Sequence, residues 1–321
     1  MNFLACDLGG TKVLLGIFEK EINNNSPKLI FKKKYISSDW SSFELILEDF
    51  LKKECKNINH PSSACFAVAG PLSKNNAKII NLSWNISGNA LQNKFNFKSC
   101  ELINDFAVQI YGIPYLKNNQ YSIIQNGSHF EGANNDLHAI VGAGTGLGIA
   151  RGIISGNKVK VLASEGGHVE YSPKSNLEWE LKIWLKNYLK IERISCERIV
   201  SGSGLSRIAE WRLSKPDAQN HPLQKYLKEM KISDSARKEL PEKICKLSKE
   251  GDQLMIEVER IWLGTYASLL GDVALQELCF GGLWISGGTA PKHFKNFKSD
   301  LFMKQFFDKG RLKDILKTIP M

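Results

Sequence analysis

No run of apolar residues in this 321-residue chain approaches the ~20 needed to cross a bilayer as a helix, so no membrane partner is expected. A charge-flanked secretory leader is not expected either, because Asp7 interrupts the first apolar run. The seven cysteines are scattered, without a single C-x-x-C pair, and several sit in strand-like apolar context. They read as buried free thiols of a cytoplasmic protein. The formal charge of +10 invites a nucleic-acid partner, but the lysines are spread along the chain. There is one short run, residues 32–34, and no interleaved aromatic ladder, so nucleic-acid binding is not expected. The basic surface reads as ordinary solvated surface that also favours an anionic substrate. No stretch has the composition of a disordered linker. What remains is an ordinary globular balance, 43% apolar and 24% charged, in a chain long enough for two cores.

Glycine is present where it matters. Residues 141–149 read V-G-A-G-T-G-L-G-I, with Gly142, Gly144, Gly146 and Gly148 alternating with small or apolar residues between strand-like flanks. Such a turn exposes successive backbone N–H groups with no side chain in the way, so a phosphate can approach them beside the Thr145 hydroxyl. In isolation an ordinary glycine-rich hairpin fits the string equally well. A second copy decides: residues 3–18 repeat the plan of apolar strand, Gly-Gly-Thr turn and apolar strand. Two such hairpins about 130 residues apart suggest two related half-molecules facing one phosphate, a nucleotide clamp.

Strands are predicted at residues 3–7, 12–18 and 29–35, with a loop or hairpin tip at 19–27. A helix over 42–54 has apolar residues at helical spacing and a cap at Ser41 or Ser42. Strands at 65–69 and 100–103 and a helix at 106–111 complete an α/β domain, residues 1–114. The second domain, residues 115–321, is expected to hold strands near 137–141, 147–154 and 158–162. Helices follow near 176–190, 202–212 and 222–230, then a long, largely apolar helical region over 233–278, a strand at 280–286 and a further helix. The join between the domains should be a hinge.

Asn104 and Asp105 end a predicted strand, placing a carboxylate at the carboxyl edge of a sheet, where clefts form in such folds. A carboxylate there can accept the proton of an attacking hydroxyl. Taken alone, Asp before an apolar helix reads first as an N-cap. Ser164–Glu165–Gly166–Gly167–His168 presents a carboxylate and an imidazole on a loop, a set suited to vicinal sugar hydroxyls. No cysteine follows His168 closely and no second histidine lies at ligand spacing, which disfavours a metal there. Glu197 precedes a glycine-rich helix start at 201–205, able to bind a polar ligand or simply to cap. Gly287-Gly288-Thr289 ends another strand, where backbone can lie flat against a nucleobase or ribose.

Together the stretches DLGGTK, LINDFAVQIYGIP, VGAGTGLGIA, SEGGHVEYSP, ERIVSGSGL and ISGGTAPK resemble the bacterial-type glucokinase family of the actin–hexokinase–heat-shock-ATPase superfamily, in its order and spacing. The resemblance implies a two-domain ribonuclease H-like α/β fold with a cleft between the domains. It implies ATP and Mg2+ as cofactors, and transfer of the γ-phosphoryl group to the 6-hydroxyl of glucose, giving glucose 6-phosphate for glycolysis. Asp105 would be the general base. Asn104, Glu165, His168 and Glu197 would hold the other hydroxyls. Asp7, Gly9, Gly10 and Thr11 would form the first phosphate loop, with Asp7 near the magnesium. Gly142, Gly144 and Thr145 would form the second, and Gly287, Gly288 and Thr289 the adenosine loop. A homodimer is implied as well.

Two departures stand out. Related sugar kinases and repressors carry a zinc site of clustered cysteines just after the E-x-G-H turn, whereas His168 is followed by VEYSPKSN, which disfavours that branch and its zinc. The family would also continue past Met321 with a strand and a helix returning to the first domain, so an uncovered apolar face there is expected. Two rival functions remain: a kinase of the same fold for another hexose or with a polyphosphate donor, and a non-enzymatic sugar-sensing regulator. The second would be expected to carry a helix-turn-helix ahead of the first strand, which begins at Phe3.

Overall fold

The first strand, β1 (Asn2–Leu8), buries Leu4, Cys6 and Leu8 on one face, the period-2 pattern of a half-covered sheet. In the computed structural model that holds it, residues 1–20, 27–70, 72–79, 82–128, 136–156, 158–162, 164–230 and 234–321 are described, with side chains left out at 228–230 and 234–238. The loop expected at 19–27 falls mostly outside these residues. The chain divides into two compact units, Met1–Tyr121 and Ser122–Met321.

In the first unit β1 pairs antiparallel with β2 (Lys12–Glu19), and β2 with β3 (Lys28–Ile36). On its other side β1 runs parallel to β4 (Ser63–Val68), which runs parallel to β8 (Ser99–Asn104), giving the order β3-β2-β1-β4-β8. Helix α1 (Phe43–Asp49) starts where expected: the Ser42 hydroxyl accepts from the Leu45 N–H. Its last turn widens into a π-helical segment, Phe50–Glu54. A small sheet not foreseen from the sequence, β5 (Leu72–Ser73), β6 (Asn76–Ile79) and β7 (Trp84–Ser87), leads into α2 (Gly88–Lys94). The helix expected at 106–111 is shorter: residues 105–108 form a turn, and α3 covers only Gln109–Gly112.

The second unit repeats the plan. β9 (Leu137–Ala143), β10 (Leu147–Ser155) and β11 (Lys158–Leu162) are antiparallel neighbours, and β12 (Gly282–Ser286) lies parallel to β9, in the order β11-β10-β9-β12. The glycine turns thus occupy equivalent places, between β1 and β2 and between β9 and β10. Around the sheet lie α4 (Asn176–Leu189), α5 (Gly202–Leu213), α6 (Leu223–Met230), α7 (Asp234–Lys249), α8 (Gln253–Glu277), α9 (Ala290–Phe297), α10 (Asp300–Phe306) and α11 (Lys313–Thr318). The helical region expected over 233–278 is two helices, α7 and α8. Gly251, at φ +94°, turns the chain after α7, and the Asp252 carboxylate accepts from the Met255 N–H to start α8. Met255, Ile261, Trp262, Tyr266, Leu270 and Val273 bury α8 on every side, as its apolar sequence requires. Among the described residues no helix is long and apolar enough to cross a membrane.

Candidate active site

The first unit gathers its share of the predicted residues at the carboxyl ends of the parallel strands β1, β4 and β8. Gly9–Thr11 is the turn between β1 and β2, closed by the Gly9 N–H donating to Lys12 O at 3.0 Å. Ser37, fully buried after β3, fastens it from behind. Its hydroxyl donates to Gly9 O at 3.0 Å and its N–H to Thr11 O at 3.1 Å. Asp7 and Thr11 keep exposed side chains.

In register Asp7 stands beside Ala67, and Ala67 beside Ile103, which brings the Asp7 carboxylate toward the turn that follows β8. In that turn the Asn104 amide closes the backbone, and α3 itself starts after Val108 with no side-chain cap. Asn104 Oδ1 accepts from the Phe106 N–H at 3.1 Å and the Ala107 N–H at 2.9 Å. Its Nδ2 reaches only a long contact of 3.5 Å to Gly70 O. Asp105 keeps exposed surface. Its proton affinity lies above the ordinary carboxylate level: loss of hydration raises it most, the neighbouring Asp7 charge adds to this, and the Phe106 N–H opposes.

The edge position of β8 is secured by Asn75, held at φ +61°. The Asn75 amide acts as a neighbouring strand would, with Nδ2 donating to Cys100 O at 2.9 Å and Oδ1 accepting from the Leu102 N–H at 2.8 Å. Neither Ser37 nor Asn75 carries a local sequence signal, since each acts on residues about 25 positions away.

In the second unit four predicted motifs converge on the turn between β9 and β10. The Gly144 N–H donates to Gly146 O at 2.8 Å, closing the turn. Ala143 O accepts from both the Thr289 N–H at 3.2 Å and the Thr289 hydroxyl at 2.7 Å, so the loop at 287–289 is tied directly to it. Gly144 O accepts from the Gly202 N–H at 2.8 Å, bringing in the start of α5. Glu197 is partly buried; its Oε2 accepts from the Leu147 N–H at 3.1 Å and lies where a side chain on Gly146 would have to be. Gly167 is pressed against Leu147 O, and flanking it Glu165 and His168 project outward, exposed, with Oε2 and Nε2 3.8 Å apart. Arg193 donates to His168 O at 2.6 Å, holding the turn. Helix α8 supports the set from the core: Trp262 Nε1 donates to Ser201 O at 3.1 Å and the Tyr266 hydroxyl to Val141 O at 3.3 Å. Gly142, Gly144 and Thr145 run from buried through half-buried to exposed, and Gly288 is exposed.

A model of the glucokinase family matches residues 4–321. The chain belongs to the glucokinase family. A glucokinase of Synechocystis is 36% identical across 100% of this glucokinase-family chain and 93% of its own length. Among solved structures, glucokinase from an Antarctic psychrotroph superimposes with a TM-score of 0.80 at 27% identity, over 99% of this chain and 92% of its own. A ROK-family glucokinase from Streptomyces griseus, solved with glucose and AMPPNP, shares the fold at a TM-score of 0.54 and 18% identity, over 95% and 87% of the two chains.

Proposed function

We propose that the protein is an ATP-dependent glucokinase that transfers the γ-phosphoryl group of ATP to the 6-hydroxyl of glucose. The observation that carries the proposal is the arrangement after β8, where Asn104 closes the turn and Asp105 is left exposed with a raised proton affinity. That is what a general base for a hydroxyl needs. In this reading Asp105 accepts the 6-hydroxyl proton as that oxygen attacks the γ-phosphorus and ADP departs. Asn104 Nδ2, Glu165, His168 and the Glu197 carboxylate hold the remaining hydroxyls. The turn of Gly9, Gly10 and Thr11 and the turn of Gly142, Gly144 and Thr145 receive the phosphates, the Gly9 and Gly144 N–H groups closing the turns and leaving Gly10, Thr11 and Thr145 to face the ligand, while Gly287–Gly288–Thr289 supports the adenosine. The work is positioning and charge stabilisation rather than covalent chemistry.

Asp7 suits magnesium: it is exposed, offers hard oxygen donors, and among the described residues pairs with no cation. Bound there, Mg2+ would neutralise developing charge on the transferred phosphoryl group. The equivalent glycine turns and strand orders of the two units support the ribonuclease H-like two-domain reading, with a substrate cleft between the domains as part of the proposal. A homodimer and a cytoplasmic location belong to the same reading.

The test is coupled turnover with ATP·Mg and glucose, set beside mannose, fructose and a polyphosphate donor. Turnover confined to glucose and ATP is expected. Fast turnover with another hexose or with polyphosphate would reassign the substrate, and glucose binding without turnover on any pair would point instead to a sensor.

A further inference from the structure

Three helices of the second unit meet at a buried group of side chains that phosphoryl transfer does not use. Cys245 on α7, Glu259 on α8 and His293 on α9 each offer one donor atom, and these atoms lie within 4.8 Å of one another. Glu259 and His293 are 8% and 3% exposed, and Cys245 is partly buried. Cys245 Sγ stands 3.7 Å from His293 Nε2, and Glu259 Oε1 stands 3.7 Å from His293 Nδ1.

Buried polar atoms are normally hydrogen-bonded. Among the described residues His293 Nδ1 has no hydrogen-bond partner, and 3.7 Å to the carboxylate is too long to be one. The imidazole is nonetheless fixed in place, packed on Trp262 with ring centroids 4.8 Å apart. The carboxylate is oriented too: the Ser248 hydroxyl donates to Glu259 Oε2 at 2.5 Å, leaving Oε1 for the histidine side. Held side chains around an unsatisfied imidazole are what an ion site looks like without its ion, because outer hydrogen bonds commonly orient metal ligands.

We propose that Cys245, Glu259 and His293 form a binding site for one divalent cation of the zinc class, which pins α7 and α9 to α8. The donor set argues for the ion. The ion would sit on the unsatisfied Nδ1, the nitrogen that faces Glu259 Oε1, while Nε2 keeps its contact with the Cys245 side chain. A thiolate and a carboxylate together neutralise a divalent charge, so the occupied site carries no net charge into the interior. Thiolate and imidazole select against magnesium, which separates this site from the cation of phosphoryl transfer. Its placement gives it a consequence: His293 lies on the helix that begins at Ala290, directly after Gly287–Thr289, so the ion would steady that loop.

The experiment uses the full-length protein, treated with EDTA, desalted and titrated with Co2+ alone. One equivalent is expected to bind, giving a thiolate-to-cobalt charge-transfer band and the intense visible bands of four-coordinate cobalt. One equivalent of Zn2+ should erase both, and excess Mg2+ should leave them. Cys245→Ser should remove the charge-transfer band and weaken Co2+ binding at least tenfold. His293→Gln should weaken it likewise, and Cys65→Ser, at an exposed site on the other unit, should change nothing. Circular dichroism checks that each variant folds; should His293→Gln fail to fold, the near-isosteric Cys245→Ser decides alone. No stoichiometric cobalt binding, or a charge-transfer band that survives Cys245→Ser, would overturn the proposal.

Discussion

Gly167→Ala adds one methyl group where the structure has no room. A Cβ there would lie 2.1 Å from Leu147 O and 3.1 Å from Leu147 C, both backbone atoms. Ordinary van der Waals contact begins near 3.5 Å, so the chain must give by about 1.4 Å. The strain falls on residues that matter. On one side of the contact are Glu165 and His168, flanking Gly167 in its turn. On the other is Leu147, whose N–H holds the Glu197 carboxylate. Three of the four groups proposed to bind sugar hydroxyls therefore move together. Overpacking of this kind costs about 1–3 kcal/mol, which for a unit of this size lowers Tm by roughly 2–12 °C. A displacement of about 1 Å can lower catalysis by about 10². We expect kcat/KM for glucose to fall on that scale, mainly through KM, with KM for ATP changing less. Gly144→Ala is the matched control, because a Cβ there has no heavy atom within 4 Å. It should leave Tm and glucose KM alone and raise KM for ATP, since the new methyl would occupy space assigned to a phosphate. Differential scanning calorimetry and a coupled assay read all four quantities. A Gly167→Ala enzyme with wild-type Tm and glucose KM would refute the reasoning.

What the sequence revealed, and what it hid, follows from how far apart the interacting residues lie. The two glycine hairpins were legible because close backbone approach demands glycine locally, and the same turns now occupy equivalent places in two sheets. The buried helix α8 was legible from its unbroken apolar composition, whereas its start was missed although Gly251 and Asp252 carried an ordinary stop-and-cap signal. Whether Asp105 is an N-cap or a free carboxylate could not be decided from its place before an apolar run. It turns on Asn104 remaining in β8 while its Oδ1 reaches forward to Phe106 and Ala107. Strands of two to four residues, as in β5, β6 and β7, are too short to show a period. Ser37, Asn75 and the Cys245–Glu259–His293 group act on partners remote in sequence, so no local motif announces them. Local chemistry reads from sequence; the residues that hold it in position mostly do not.

Those holding residues yield the next expectations. Ser37→Ala removes the hydroxyl bonded to Gly9 O, and should cost about 1 kcal/mol of stability and raise KM for ATP several-fold, with glucose KM unchanged. Unaltered ATP kinetics would show that the first glycine turn does not need it. Asn75→Ala breaks two hydrogen bonds to the edge of β8, a loss of about 2 kcal/mol, and should lower kcat more than either KM because Asp105 follows that strand. A variant with normal kcat and Tm would remove Asn75 from the positioning role. Asp105→Asn should lower turnover by about 10² or more while glucose binding persists, as expected for loss of a positioned base. The same residue sets a pH dependence. Its native pKa is raised, chiefly by loss of hydration, so the wild-type acidic limb of kcat/KM should lie above the ordinary aspartate value of about 4. The stability sign is opposite to that of a salt-bridged carboxylate. A raised native pKa means the folded state binds the proton more tightly, so the stability this group contributes is present at low pH and declines as pH rises through that pKa. At neutral pH the charge opposes folding, and Asp105→Asn should melt no lower than wild type. A variant that loses both turnover and several degrees of Tm at pH 7 would mean that the carboxylate holds the turn after β8 together, and the base would have to be sought elsewhere.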